Sequence, residues 1–302
     1  MVTLGETLGL VLSGDAGPLR VGTPARLSFA GAESTVAIGL ARLGHSCAWI
    51  GRVGDDDFGR MISMQLRAEG VDAHVIIDGE APTALMTRQQ RTADRTAVQY
   101  WRAGSAGSRL SWADVPVDVP GGADVLHVTG ITPALSPAAA DTVARAVTVA
   151  REQGATVSFD VNYRSALWTQ QEAASRLTPI AEQADVVFAG PAELELVGGR
   201  ALLAAGVSEL VVKDGAAGAR VVTAEGERFG DALAVSVVDP VGAGDGFVAG
   251  YLSARLDRLS VDECLARAAV VGAFCVSTTG DWEGLPRRRE LSLLGADDNV
   301  SR

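Results

Sequence analysis

The stretch VVDPVGAGDGFVAGY, residues 237–251, sets glycines at 242, 244, 246 and 250 around a lone carboxylate, Asp245. Just upstream, VSVV (235–238) reads as a strand that Pro240 ends. From Gly246 onward, Phe247, Val248, Tyr251, Leu252 and Leu256 make a helical stripe. Gly242 and Gly244 therefore fall in a strand-to-helix turn. Glycine there allows positive φ and lets bare N–H groups come close to a ligand. The helix start adds unpaired N–H groups and the positive end of the helix dipole. Such a turn suits an anion, or negative charge that builds up in a transition state.

A carboxylate beside an anion site repels the anion unless it has another task. Asp245 either favours a helix N-terminus, a use worth about 1 kcal/mol, or takes a proton from a hydroxyl attacking a phosphoryl group. The Lys-Ser/Thr pair of a Walker A loop is missing. Gly244, Gly246 and Ala249 match a relaxed dinucleotide fingerprint, but too little chain follows for a two-half Rossmann domain. A purely structural tight turn also fits.

Outward from the turn, apolar runs alternate with helix-period segments. Strand candidates are 2–5, 47–53, 124–129, 156–161, 185–189 and 209–213. Several are apolar at nearly every position, as strands buried on both faces of a parallel sheet should be. Residues 33–43 carry Val36, Leu40 and Leu43 on one stripe, closed by Gly44. Residues 137–152 start on a proline and stop before Gly154. The alternation predicts an open α/β sheet with helices on both faces. Residues 73–103 break it with short segments free of helical period, and read as antiparallel strands joined by 8–29. They predict a small β appendage that acts as a lid on a single α/β domain spanning 1–302.

The chain has 302 residues, 47% hydrophobic and 21% charged. That balance argues against disorder. Its formal net charge of −11 disfavours nucleic acid as a partner. Cys47, Cys264 and Cys275 lie in apolar runs without metal-ligand spacing, as buried reduced thiols of a cytoplasmic protein would. Only His45, His74 and His127 could serve a histidine metal site, and they are far apart in sequence. No signal peptide or membrane span is expected. The polar end, 295–302, is expected to fray.

DPVGAGDGFVAG resembles the C-terminal signature of the ribokinase-like (PfkB) carbohydrate kinases. FAGAESTVAIGLARLG (29–44), GRVGDDDFG (51–59) and VVKDGAAGA (211–219) resemble that family's other motifs in order. Within it, YWRAGSAGSRL (100–110), LHVTGITPALSP (126–137) and SFDVNYRSALW (158–168) are most similar to the 2-keto-3-deoxygluconate kinases. The resemblance implies a three-layer α/β sandwich with a small β-sheet lid. It implies transfer of phosphate from ATP, with Mg²⁺, to the terminal hydroxyl of 2-dehydro-3-deoxy-D-gluconate. It places Asp245 as catalytic base, and Gly242, Ala243 and Gly244 as the backbone anion hole. Gly31, Thr35, Gln90, Tyr100, Arg102 and Arg164 fall on the substrate side. Asn162, Glu193, Lys213, Gly215 and Gly218 fall on the nucleotide side, with Glu193 reaching Mg²⁺ through water. It also suggests K⁺, with Asp239 as its candidate ligand, and a homo-oligomer, dimer or higher.

Two arginines suit an acidic substrate, because a planar guanidinium grips a carboxylate with two hydrogen bonds. The chain departs from the family at Ala30, Thr35, Gln90 and Gly190, where glycine, asparagine, tyrosine and asparagine are usual. Those changes lie mostly on the substrate side. A kinase for fructose, ribose or 5-dehydro-2-deoxygluconate therefore stands as the alternative. An NAD(P)-binding dehydrogenase and a sugar-binding protein without activity are further alternatives.

Overall fold

Runs that are apolar at every position become strands covered on both faces. The computed structural model describes residues 1–92, 95–116 and 122–294, so the 295–302 tail lies outside the described residues. The main sheet holds β1 (Val2–Leu4), β4 (Ala48–Gly54), β5 (Asp72–Asp78), β8 (Val125–Thr129), β9 (Thr156–Asp160), β10 (Val186–Ala189), β11 (Glu209–Lys213), β12 (Ala219–Thr223) and β13 (Gly226–Gly230). Their order is β13-β12-β11-β10-β9-β8-β1-β4-β5. From β11 to β5 every pairing is parallel, and β12 and β13 add an antiparallel hairpin at one edge.

Successive strand residues serve opposite faces. Val186 and Phe188 join one core, Val187 and Ala189 the other. The first core receives α1 (Ala32–Arg42), α2 (Asp57–Ala68), α7 (Ala243–Leu256) and α8 (Val261–Val276). The second receives α3 (Pro137–Glu152), α4 (Gln170–Ala181), α5 (Pro191–Leu196) and α6 (Ala201–Ala204). The helix expected over 137–152 forms with those bounds. Pro137 fills its first turn, and Ser136 Oγ accepts from Ala139 N at 3.1 Å.

A second sheet is built from β2 (Leu8–Ser13), β3 (Ala25–Ala30), β6 (Leu85–Thr92) and β7 (Arg95–Trp101), in the order β3-β2-β6-β7. The appendage expected from 73–103 is thus shorter. Its residues 73–78 join the main sheet instead as part of β5, parallel to β4. The intervening α2 makes this a βαβ crossover, which delivers a parallel strand to the large sheet.

The strand expected at 235–238 does not form. Val237 and Val238 are 66% and 59% exposed. The N–H groups of Val238 and Asp239 donate instead to the Val276 carbonyl at the end of α8, at 2.7 and 3.1 Å. The segment is tethered to a helix end rather than a sheet edge. The helix after it begins at Ala243, earlier than its apolar stripe suggested.

Cys47, Cys264 and Cys275 are free and buried. Burial pushes their thiols up to about 11, 11 and 12. Among the described residues, no helix is long and apolar enough to cross a membrane.

Candidate active site

Parallel strands release their C-terminal ends at one edge of the sheet, where open α/β folds carry their crevice. Asp160 closes β9, Lys213 closes β11, and Glu193 lies in the first turn of α5 after β10. The start of α7 faces this edge. Asn162 Nδ2 donates to Asp245 Oδ1 at 3.5 Å, and Lys213 Nζ lies 3.7 Å from where a Cβ on Gly244 would sit.

Gly242 precedes α7 in the left-handed region, with φ of 78°. A Cβ there would be strained and would also overlap the Asp281 carbonyl. Gly246 N closes the helix back onto the Gly242 carbonyl at 2.8 Å. The N–H groups of Ala243, Gly244 and Asp245 stand ahead of that bond, where a helix has no acceptor to offer. Gly244 is exposed. The turn therefore presents bare donors beside Asp245.

The capping role for Asp245 has no hydrogen bond behind it, since no side chain caps this helix. Its carboxyl is pushed up to about 6. Burial is the main cause and Asp160 adds to it, while Lys213, Arg164 and Asn162 pull the other way. Asn162 itself holds a φ of 39°, a conformation that asparagine tolerates better than most residues.

Lys213 Nζ donates to Asp160 Oδ2 at 2.6 Å, and the other Asp160 oxygen is buried without a protein partner. Glu193 accepts from the Tyr163 and Gly190 N–H groups, each at 2.7 Å, and so fixes the loop after β9 to the start of α5. Gly190, where the family pattern has asparagine, keeps this backbone link. Gly215 and Gly218 follow Lys213 with φ of 54° and 93°, and Gly218 packs against the Gly230 carbonyl.

Of the expected substrate residues, Gly31 lies against the Glu6 carbonyl and Ser34, where a Cβ would come within 2.7 Å of each. Thr35 is buried, with its hydroxyl unpaired. Sheet register puts Arg88, Gln90 and Tyr100 on one face of the small sheet, because Arg88 pairs with Val98 and Tyr100 with Met86. Arg102 stacks over Tyr100 at 5.4 Å and donates to Glu6, leaving its Nε buried and unpaired. Arg164 is exposed, and close enough to Asp245 to draw its carboxyl down. Asp239 is held by Arg88 Nη2 at 2.5 Å.

Three carboxylates escaped sequence reading. Asp160 was visible as a charge ending an apolar strand. Glu6 gave no signal before its pairing with Arg102 was seen. Glu33 lies in the first turn of α1, where Thr129 and Thr132 hydroxyls donate to it at 2.7 Å, and burial pushes it up to about 7.

Among the described residues, no three His, Cys, Asp or Glu side chains converge as a metal cage. Mg²⁺ with a nucleotide rarely needs one, because water and phosphate supply most of its ligands. The orphaned oxygen of Asp160 fits such an ion or its water shell.

The pfkB family carbohydrate kinase model matches residues 12–288. The chain belongs to the PfkB family. It is a carbohydrate kinase, similar to the 2-dehydro-3-deoxygluconokinase of Bacillus subtilis (strain 168), at 38% identity over 99% of this chain and 96% of the relative. The enzyme of the same name from Thermoproteus tenax is 39% identical over 97% of this chain and 93% of its own. A structure from E. coli solved in complex with ATP and Mg²⁺ shares the fold at a TM-score of 0.89, with 26% identity and 97% of each chain covered. The relaxed dinucleotide match at Gly244, Gly246 and Ala249 lies within α7 of this PfkB kinase.

Proposed function

We propose that this PfkB kinase transfers the γ-phosphoryl group of ATP to the terminal hydroxyl of 2-dehydro-3-deoxy-D-gluconate. The observation that carries the reading is the meeting of Asp245, pushed up to about 6, with the bare N–H groups at the start of α7. A carboxylate of that basicity accepts a hydroxyl proton more readily than an ordinary aspartate does. As the oxygen attacks phosphorus, the donors of 243–245 stabilise charge on the phosphoryl oxygens. Lys213 and Asn162 orient the phosphates, with Gly215 and Gly218 shaping the turn beside them. Mg²⁺, held by Asp160 and through water by Glu193, would neutralise phosphate charge. The small sheet excludes water that would otherwise accept the phosphoryl group.

The acid preference rests on Arg102 and Arg164 and on the names of the two relatives. Arg102 donates through Nη2 to Glu6, which holds its guanidinium in place, and its Nε has no protein partner; in this reading the remaining donors take the substrate carboxylate. Gly31, Thr35, Gln90 and Tyr100 line the sugar side in this reading.

The test is ADP release with ATP and Mg²⁺ across 2-keto-3-deoxygluconate, its galactonate epimer, 5-dehydro-2-deoxygluconate, fructose and ribose. Preference for the keto-deoxy gluconate is expected. Arg102→Ala should cost that acid at least about tenfold in kcat/KM, the scale of a charged hydrogen bond. Preference for fructose or ribose would leave the transfer chemistry standing and overturn the substrate.

A further inference from the structure

Two carboxylates flank the glycine turn, and one arginine joins them. Arg88 sits on β6 with only 5% of its side chain exposed. Its Nη2 donates to Asp239 Oδ2 at 2.5 Å and its Nη1 to Asp281 Oδ1 at 3.1 Å. Asp239 lies just before Gly242. Asp281 supplies the carbonyl against which Gly242 is packed. Asp239 also accepts from the N–H groups of Gly280 at 3.1 Å and Val241 at 3.2 Å. Its carboxylate is thus ringed by donors. A K⁺ ion at Asp239 would face a guanidinium and two N–H groups, and this donor set does not fit a cation.

The same small sheet grips the 279–283 loop elsewhere. Ser28 Oγ donates to Glu283 at 2.7 Å, Arg26 Nη2 donates to the Thr279 carbonyl at 3.0 Å, and Phe29 stacks on Trp282 at 4.9 Å. Of these ties, Arg88 alone supplies positive charge to both carboxylates. Without it, two acids in a region of low dielectric repel each other, and one must take up a proton or a cation. Burial already raises the Asp281 carboxyl to about 7, with Arg88 pulling it down and Asp245, Glu283 and Asp239 pushing it up.

We infer that Arg88 is a positioning residue for phosphoryl transfer: its guanidinium serves as the resident cation between Asp239 and Asp281, aligns the anion-hole turn, and frees this kinase from monovalent-cation activation. The inference rests on the kinase reading above, but its first measurement does not need the sugar to be known.

The experiment compares the native protein and Arg88→Met in tetramethylammonium buffer, with KCl replacing that salt at constant ionic strength. Thermal unfolding is read first. The native midpoint should not respond to K⁺, while that of Arg88→Met should rise with K⁺ as an ion fills the vacated position. Turnover is read second, on whichever sugar the native enzyme accepts. Native kcat should change by less than about twofold with K⁺, whereas Arg88→Met should lose roughly tenfold or more and recover most of it in K⁺, with the KM for ATP moving less than kcat. A native enzyme activated several-fold by K⁺ would overturn the inference, and that arm needs no variant. So would an Arg88→Met protein that keeps native turnover without K⁺, or one that folds, loses turnover and is rescued by no monovalent cation.

Discussion

In its proposed role Asp245 combines two demands that oppose each other. A base must be basic enough to take a proton, and the burial that raises this carboxyl also destabilises its ionised form. With a folded value of about 6 against an ordinary 3.8, the folded state holds the proton more tightly than the unfolded chain. The contribution of Asp245 to native stability is therefore fully present below the ordinary value and is lost as pH rises through about 6. Asp245→Asn mimics the protonated form. We expect it to unfold at a higher temperature than the native protein at pH 8, by about 2 °C for roughly 1 kcal/mol in a chain of this length. The same substitution should cut kcat by roughly 10²-fold or more, the scale of a general base. A variant with near-native turnover would remove Asp245 from the chemistry. A base works only when ionised, so if Asp245 is that base native kcat/KM should fall on the acid side of about pH 6, and calorimetry and a pH profile read the two effects separately. The place of Asp245 in a glycine-framed turn at a helix start could be read from the sequence. Its basicity could not, because burial and the nearby Asp160 act on it only through the fold.

At the scale of elements, the parallel strands and the helices between them were readable because each has a strong local period. The failure at 235–238 is instructive. Four residues that favour extended backbone were read as a strand, yet a strand needs a partner, and this segment found the end of α8 instead. Residues 73–78 failed for the related reason that pairing is a property of two segments, and the partner of β5 was β4. The glycine turn is an element in its own right, and Gly242 is its left-handed residue. Gly242→Ala would force a methyl into the left-handed region and onto the Asp281 carbonyl. It should destabilise the protein by roughly 2 kcal/mol or more, from the backbone term and the overlap together. Because the donors of 243–245 would shift with it, kcat should fall more than the KM for ATP. Chemical denaturation and steady-state kinetics on the same preparation check both; native stability would show that the turn has slack.

At the scale of the whole molecule, the small sheet has two unlike faces. One carries Arg88, which reaches Asp239 and Asp281 beside the glycine turn, with Gln90 and Tyr100 on the same face by register. Register sends Leu27 and Trp101 to the other, where they are 59% and 54% exposed. We expect two copies to meet through these two exposed side chains, as the expected homo-oligomer requires. Light scattering should give a mass of at least twice 31.1 kDa, and Leu27→Glu with Trp101→Glu should reduce it to one chain. An unchanged mass in the double variant would place the contact elsewhere. Arg88 also has a bearing on how the protein is made. Its two partners lie 151 and 193 residues further along the chain. Contacts that span so much sequence close late, after the loop entropy between them has been overcome. A growing polypeptide on the ribosome can complete the strands that carry Arg88 long before Asp239 and Asp281 are synthesised. Competence for phosphoryl transfer should therefore be among the last properties the newborn protein acquires, and recovery of activity during refolding should lag behind recovery of secondary structure.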